Sequence, residues 1–304
     1  MTPAAWSDWQ PLPSRAPLTA AILAETLDGG QAFRWHRTPD EAWQGVFGGH
    51  VARLSLDDAG LPRWSAPLPH AAGTASALSH YFAGNGDPHE LADSLPWRSD
   101  AHLARCLAEF PGLRILRQPF GETLLCFLCS ATKQIVQIKQ MVDLLAQRHG
   151  EPLGKFQGSN AKSQTFSGCR LPSWDEIAQV PEATLRQCQL GFRARFIHQT
   201  ARFLAAHPGW LEETERLPYV EAKERLCSLP GVGEKVADCV LLFGAGRLEA
   251  FPVDTWILKA MAARYGLEGW KPAQVAQFGR AHFGPLAGFA QQYIFAWERK
   301  MARS

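Results

Sequence analysis

The chain has 304 residues, with 31 Lys+Arg against 29 Asp+Glu and a formal net charge of +2. At roughly 100–200 residues per domain, this length predicts two domains with room for a substantial core. Hydrophobic residues at 46% and charged residues at 20% exclude a disordered or fibrous chain, and the balanced charge excludes a histone-like binder of nucleic acid.

The start of the chain, with Pro3, Pro11 and Pro13 and no basic residue before Arg15, does not read as a signal peptide. Up to about Trp97 the sequence is rich in Gly, Pro and Trp, with short strand-like runs. Trp43–Leu56 reads as a hairpin turning at Gly48-Gly49, because two glycines can supply the positive φ of a tight turn. Ala52, Leu54 and Leu56 would then share one face and Arg53 and Ser55 the other. After Asp100 the period changes from two to that of a helix. The most apolar run, Thr123–Ala131, is far shorter than the ~18 residues of a membrane span. Ile135, Ile138, Val142 and Leu145 form a helical stripe ending at Gly150 and Pro152. The polar stretch Lys155–Arg170 reads as an exposed loop, and Ser173 with Glu176 as a capping box. Helices follow over Arg193–Ala206, Tyr219–Ser228, Glu234–Phe243, Thr255–Tyr265, Pro272–Phe283 and Leu286–Met301. The expected architecture is α+β: a β-containing N-terminal domain over 1–98 and an all-helical domain over 99–304. Seven cysteines without paired spacing predict reduced thiols in an intracellular protein of the bacterial cytoplasm or nucleus.

The most informative segment is Leu226–Gly266. Leu229-Pro230-Gly231-Val232-Gly233-Glu234-Lys235 places a tight turn between two helices. Pro230 ends the first helix, and Gly231 and Gly233 let backbone approach a bulky anion. The unpaired N–H groups and positive dipole end of the second helix face the same point, so the turn can hold a phosphate without reading sequence. A corner whose glycines serve only packing is the alternative. Lys235 sits in the first turn of that second helix, where the dipole disfavours an ammonium and so favours a nucleophilic amine. A surface lysine beside a phosphate-binding turn is the plainer reading. Asp254 lies just before the run Thr255–Tyr265, where it suits helix capping, stabilisation of a nearby positive charge, or both.

These residues, with Phe251-Pro252-Val253-Asp254, resemble the helix-hairpin-helix and Asp signature of DNA glycosylases; here the hairpin lies near 219–243. More narrowly, the chain resembles the eukaryotic-type 8-oxoguanine DNA glycosylase/AP lyases. Gly30–Trp35, Leu190–Arg195 and Gly288–Phe295 also match, so the resemblance runs through nearly the whole chain in family order. It implies a TATA-binding-protein-like antiparallel β domain followed by helical subdomains. It further implies that Lys235 attacks the sugar C1′ to form a Schiff base that permits strand scission, with Asp254 as its carboxylate. Gly30, Cys239, Gln291 and Phe295 would line the pocket of a flipped 8-oxoguanine. In that pocket the Gly30 carbonyl meets N7–H, the Gln291 amide meets the Watson–Crick edge, and Phe295 stacks. Read alone, Cys239 and Phe295 are as easily core residues on helix faces. Gly231, Val232, Gly233 and Trp256 would contact the DNA backbone, Thr132 would stand at the wedge position, and Gln137, Phe192 and Arg193 would face the opposite base. Two arginines usually read the opposite cytosine in this family; only Arg193 is kept, Gln137 standing in place of the other. A relaxed preference for cytosine is therefore expected. No iron–sulfur cluster or other cofactor is expected, because no Cys follows Cys239. The carbonyls of Cys227, Leu229 and Val232 are where a structural cation would sit. The expected partner is double-stranded DNA carrying an oxidised purine, bound by a monomer with no membrane association. Two competing readings keep the fold: a monofunctional glycosylase for another damaged purine that activates water, and a non-catalytic helix-hairpin-helix module that only grips phosphate.

Overall fold

The computed structural model describes residues 5–14, 16–68, 71–83, 86–154 and 168–302. Five antiparallel strands form one N-terminal sheet: β1 (Gln10–Pro11), β2 (Trp35–Arg37), β3 (Trp43–Phe47), β4 (His50–Leu56) and β5 (Pro62–Ser65), in the order β1-β5-β4-β3-β2. The hairpin falls where the glycines predict it. Phe47 pairs with His50 across Gly48 and Gly49, whose φ values of 52° and 81° suit the twist of a two-residue turn. Alternation on β4 is also as expected, with Ala52 and Leu54 buried in the sheet core beside Trp35, Phe47 and Leu78. Arg53 on the opposite face is covered by the Trp6 ring, 4.3 Å from its guanidinium.

The helical part contains the expected helices with small changes at their ends. Tyr219–Cys227 stops one residue short of the expected Ser228, which caps it, and Ala287–Met301 is preceded by a 3-10 turn over Gly284–Leu286. Glu234–Phe243, Thr255–Tyr265 and Pro272–Phe283 have the predicted bounds. The Ser173–Glu176 capping box is present in both directions, at 3.2 and 2.7 Å. Most of the expected Lys155–Arg170 loop, 155–167, lies outside the described residues. At its end Cys169 bridges antiparallel to Pro152, so this part is paired backbone. Helices without an expected counterpart are Ala20–Asp28, Ala71–Ala83, Pro88–Asp93, Ala101–Glu109, Phe120–Leu128, Glu182–Leu185 and Trp210–Arg216. Among the described residues no helix is long and apolar enough to cross a membrane.

Among the described residues two large apolar cores result, beside a small cluster at Val46 and Val51. The sheet core draws on Leu12–Phe82 plus Leu116; the helical core runs from Leu95 to Ala296 and takes in Phe33. The segment carrying Gly30 is tied between them. Buried Gln31 donates to the Arg114 carbonyl and accepts from Leu116 N–H, each at 2.8 Å, and Gln118 donates to the Gln31 carbonyl at 2.6 Å. Packing Gly30 onto the helical core by these bonds is what allows a residue of the N-terminal part to enter a site made by the C-terminal part.

Candidate active site

The turn before Glu234–Phe243 carries its two glycines for different reasons. Gly231 has φ +79°, and a Cβ there would lie 2.6 Å from the Phe196 ring, so both backbone and packing require glycine. Gly233 instead faces open space and caps the helix with no side-chain bond. The first N–H groups of this helix therefore point outward without an intrahelical acceptor. Gly231→Ala is expected to cost roughly 2 kcal/mol or more, from the left-handed φ and the lost space. Thermal unfolding would measure that cost, and an unchanged Tm would contradict it. Of the three carbonyls expected to hold a cation, that of Leu229 accepts the Val232 N–H at 3.1 Å, which leaves it one lone pair.

The second helix is fixed against the first from within. Asp238, 1% exposed, accepts from Tyr219 Oη at 2.6 Å and from Lys223 Nζ at 3.0 Å, and Arg280 donates to Tyr219 Oη at 3.3 Å. A buried carboxylate so fully bonded locks the rotation of the helix one turn from Lys235.

Lys235 is half-buried and turns inward. Its Nζ donates to Ser130 Oγ at 3.2 Å and lies 5.1 Å from the centre of the Phe127 ring. Ser130 Oγ donates in turn to the Phe127 carbonyl at 2.7 Å, so a lone pair is left for the amine. Asp254 caps the helix Thr255–Tyr265 by accepting from Ile257 N–H at 2.8 Å. Burial pushes its carboxyl above the usual range, against the pull of the Ile257 N–H and of Lys235. The capping role expected of Asp254 is thus observed. Cys239, 3% exposed and pushed up to about 12 by burial, is a neutral thiol against Lys235.

Lys235, Asp254, Gly30, Cys239, Gln291 and Phe295 all line one small cavity of about 40 Å³. The structure thereby brings together every residue expected of the catalytic pair and base pocket, from chain positions 30 to 295. Phe127, Phe243, Pro252 and Gln292 complete the lining and were missed in the sequence reading. Gln292 was within reach, since Gly288, Gln291, Gln292 and Phe295 share one helical stripe. Ser130 and Phe127 carried no such signal, because their tie to Lys235 spans more than 100 positions. A cavity this size holds no purine, so its walls must part to admit one; the partly exposed Phe295 ring is one such wall. A larger cleft of about 630 Å³ lies elsewhere, between Gly48-Gly49, Trp174 and His207–Leu211, and contains neither Lys235 nor Asp254.

The outer residues behave differently from the pocket. Trp256 and Phe192 are exposed, at 41% and 53%, as surfaces meeting a duplex would be. Thr132 is exposed with φ +55°, a strained conformation for a threonine. Arg193, expected to face the opposite base, is turned inward. It is 3% exposed, with its guanidinium 4.4 Å from the Phe192 ring. It donates to the carbonyls of Leu190 and Ala131 and to Thr132 Oγ1, clamping the Thr132 turn. Gln137, exposed at the third position of its helix, accepts from Gln134 N–H at 3.3 Å as half of a capping box.

Comparison with known proteins decides the family. Residues 15–124 match the family model described as 8-oxoguanine DNA glycosylase, N-terminal domain, and 128–282 match the HhH-GPD superfamily of base excision DNA repair proteins. The N-glycosylase/DNA lyase OGG1 of Arabidopsis thaliana is 32% identical over 95% of this chain and 80% of its own. The chain belongs to the 8-oxoguanine DNA glycosylase family. A probable N-glycosylase/DNA lyase of Methanothermobacter thermautotrophicus is 28% identical to this glycosylase over 69% of its chain and 71% of the relative's. Among solved structures, the 8-oxoguanine glycosylase/lyase of Clostridium acetobutylicum superposes with a TM-score of 0.83 at 30% identity, over 92% of each chain. That protein was crystallised with double-stranded DNA containing cytosine opposite 8-oxoG. The glycosylase described here is a bifunctional base-excision enzyme, a DNA glycosylase with lyase activity.

Proposed function

We propose that this enzyme excises 8-oxoguanine from duplex DNA and cleaves the strand through a covalent intermediate on Lys235. The observation that carries this reading is the single cavity shared by Lys235, Asp254 and the four base-pocket residues. A flipped base would enter between Cys239 and Phe295, and the outward N–H groups of the helix starting at Glu234 would hold a backbone phosphate. As the N9–C1′ bond breaks, its electron pair leaves with the base, and the Asp254 carboxylate stabilises the cationic sugar. The amine of Lys235 forms the new bond to C1′ and loses a proton, the Asp254 carboxylate being the proposed acceptor. The C1′–O4′ bond then breaks, O4′ taking up a proton, to give a Schiff base; loss of a C2′ proton to water drives β-elimination, in which the 3′ C–O electron pair leaves with the phosphate. Ser130 and the Phe127 ring hold the amine before it attacks.

Recognition of the lesion falls to the Gly30 carbonyl, which meets an N–H at N7 of 8-oxoguanine but a lone pair in guanine. The reading requires no cofactor or iron–sulfur cluster. It includes a monomer acting inside the cell, and a structural cation on the carbonyls of Cys227, Leu229 and Val232 belongs to it as an accessory. Opposite the lesion, Gln137 spends its oxygen on helix capping and Arg193 is folded inward, so cytosine is read weakly. Excision opposite C is expected to exceed that opposite A by roughly tenfold or less, and Gln137→Arg to steepen the ratio by adding a bidentate donor. Single-turnover rates on the four opposite-base duplexes measure this; a steep preference in the parent protein would refute it.

The overall reading is tested with a duplex holding one 8-oxoguanine. Base release accompanied by strand scission is expected. Release without scission would indicate a monofunctional enzyme that activates water, and binding without release a phosphate-gripping module.

A further inference from the structure

The last helix offers Gln291 and Gln292 to the cavity on the stripe that carries Phe295. They are 4% and 2% exposed, and each keeps one buried polar atom without a hydrogen-bond partner: Oε1 of Gln291 and Nε2 of Gln292. Buried amide atoms are nearly always bonded, so an unmet pair lining one cavity marks a place where a ligand supplies the missing partners. The two needs are complementary. One is an acceptor and the other a donor, so together they fit a flat edge that offers N–H beside C=O. The N1–H and C6=O6 edge of an 8-oxoguanine has this pattern. An 8-oxoadenine has the reverse, with a bare N1 and an exocyclic amine.

We propose that Gln292 is a second base-reading residue, its Nε2 donating to O6 while Gln291 Oε1 accepts from N1–H. The inference rests on the 8-oxoguanine reading above and deepens it. Guanine carries the same edge, so this pair does not separate lesion from guanine, which is left to Gly30. It separates oxidised guanine from oxidised adenine, because an 8-oxoadenine would face donor with donor and acceptor with acceptor. The buried site makes such a mismatch costly, since neither amide can turn to water instead.

The test compares the parent protein with Gln292→Leu and Gln292→Met, which keep the bulk and remove the donor. Three duplexes are used, carrying 8-oxoguanine, 8-oxoadenine or a preformed abasic site. Excision of 8-oxoguanine is expected to fall roughly ten- to a hundredfold, the range set by one lost buried hydrogen bond. The ratio of 8-oxoguanine to 8-oxoadenine excision should narrow by a similar factor. Cleavage at the abasic site, which presents no base to read, should fall by no more than a few-fold. An unchanged rate on 8-oxoguanine, an unchanged ratio, or an equal loss at the abasic site in both variants overturns the proposal. A parent protein that cleaves abasic sites but ignores 8-oxoguanine would instead refute the substrate reading on which it rests.

Discussion

Lys235→Gln is expected to abolish the covalent complex that borohydride traps with a lesion duplex, together with strand scission. Base excision should drop about a thousandfold or more, which at 1.36 kcal/mol per decade is about 4 kcal/mol of barrier. Duplex binding should stay within a few-fold of the parent protein. In the proposed reading the phosphate is gripped by main-chain N–H groups of the turn, and the Lys235 side chain takes no part in that grip. The folded state has little to lose beyond the 3.2 Å bond from this half-buried amine to Ser130 Oγ. A trapped complex that survives this substitution would place the reacting amine elsewhere and dissolve the proposed mechanism.

Asp254→Asn should reduce excision by roughly a hundred- to a thousandfold, through loss of negative charge beside the cationic sugar. Asparagine caps helices as well as aspartate does, so the bond from Ile257 N–H is retained and stability should change by less than about 0.5 kcal/mol. Asp254→Ala removes the cap as well, at a further ~1 kcal/mol. Equal losses of excision and duplex binding in the asparagine variant would mean that capping is the only role. The carboxyl also predicts a pH dependence. Burial raises it above the ordinary value, and the proposed role needs the ionised form. As pH falls through the raised value the carboxylate takes up a proton and excision declines. This acid limb should therefore begin at higher pH than an ordinary aspartate would give, and it should disappear in Asp254→Asn. A limb that persists there belongs to another group.

The helical half was legible because punctuation and periodicity agree. Leu229-Pro230-Gly231 ends one helix and Gly233 opens the next, and Ser173 with Glu176 forms its box within four residues. Ala71–Ala83 was not legible, since an Ala- and Ser-rich run gives little apolar periodicity; the sheet core it covers is what holds it helical. Phe120–Leu128 is buried around most of its circumference, so its pattern is a continuous apolar run with no stripe to read. The inward packing of Arg193 was not legible for a related reason. Chain position places it beside exposed Phe192, but its guanidinium reaches the Ala131 carbonyl and Thr132 Oγ1 some 60 residues away, and no local pattern announces those acceptors.

The residue types and their spacing determined by themselves the groups on offer: an amine in the first turn of a helix that follows a Pro- and Gly-containing turn, and a carboxylate that caps a later helix. Those features depend on bonds made within a few residues, such as a helix end, a cap or a glycine at positive φ. Only the tertiary structure decided which polar atoms find partners and which stay unmet. The tie of Lys235 to Ser130, the inward clamp of Arg193 and the bare amide atoms of Gln291 and Gln292 all arise from packing between segments distant in the chain. Whether a buried donor is satisfied depends on every surface closing around it, and no local stretch of sequence contains that information.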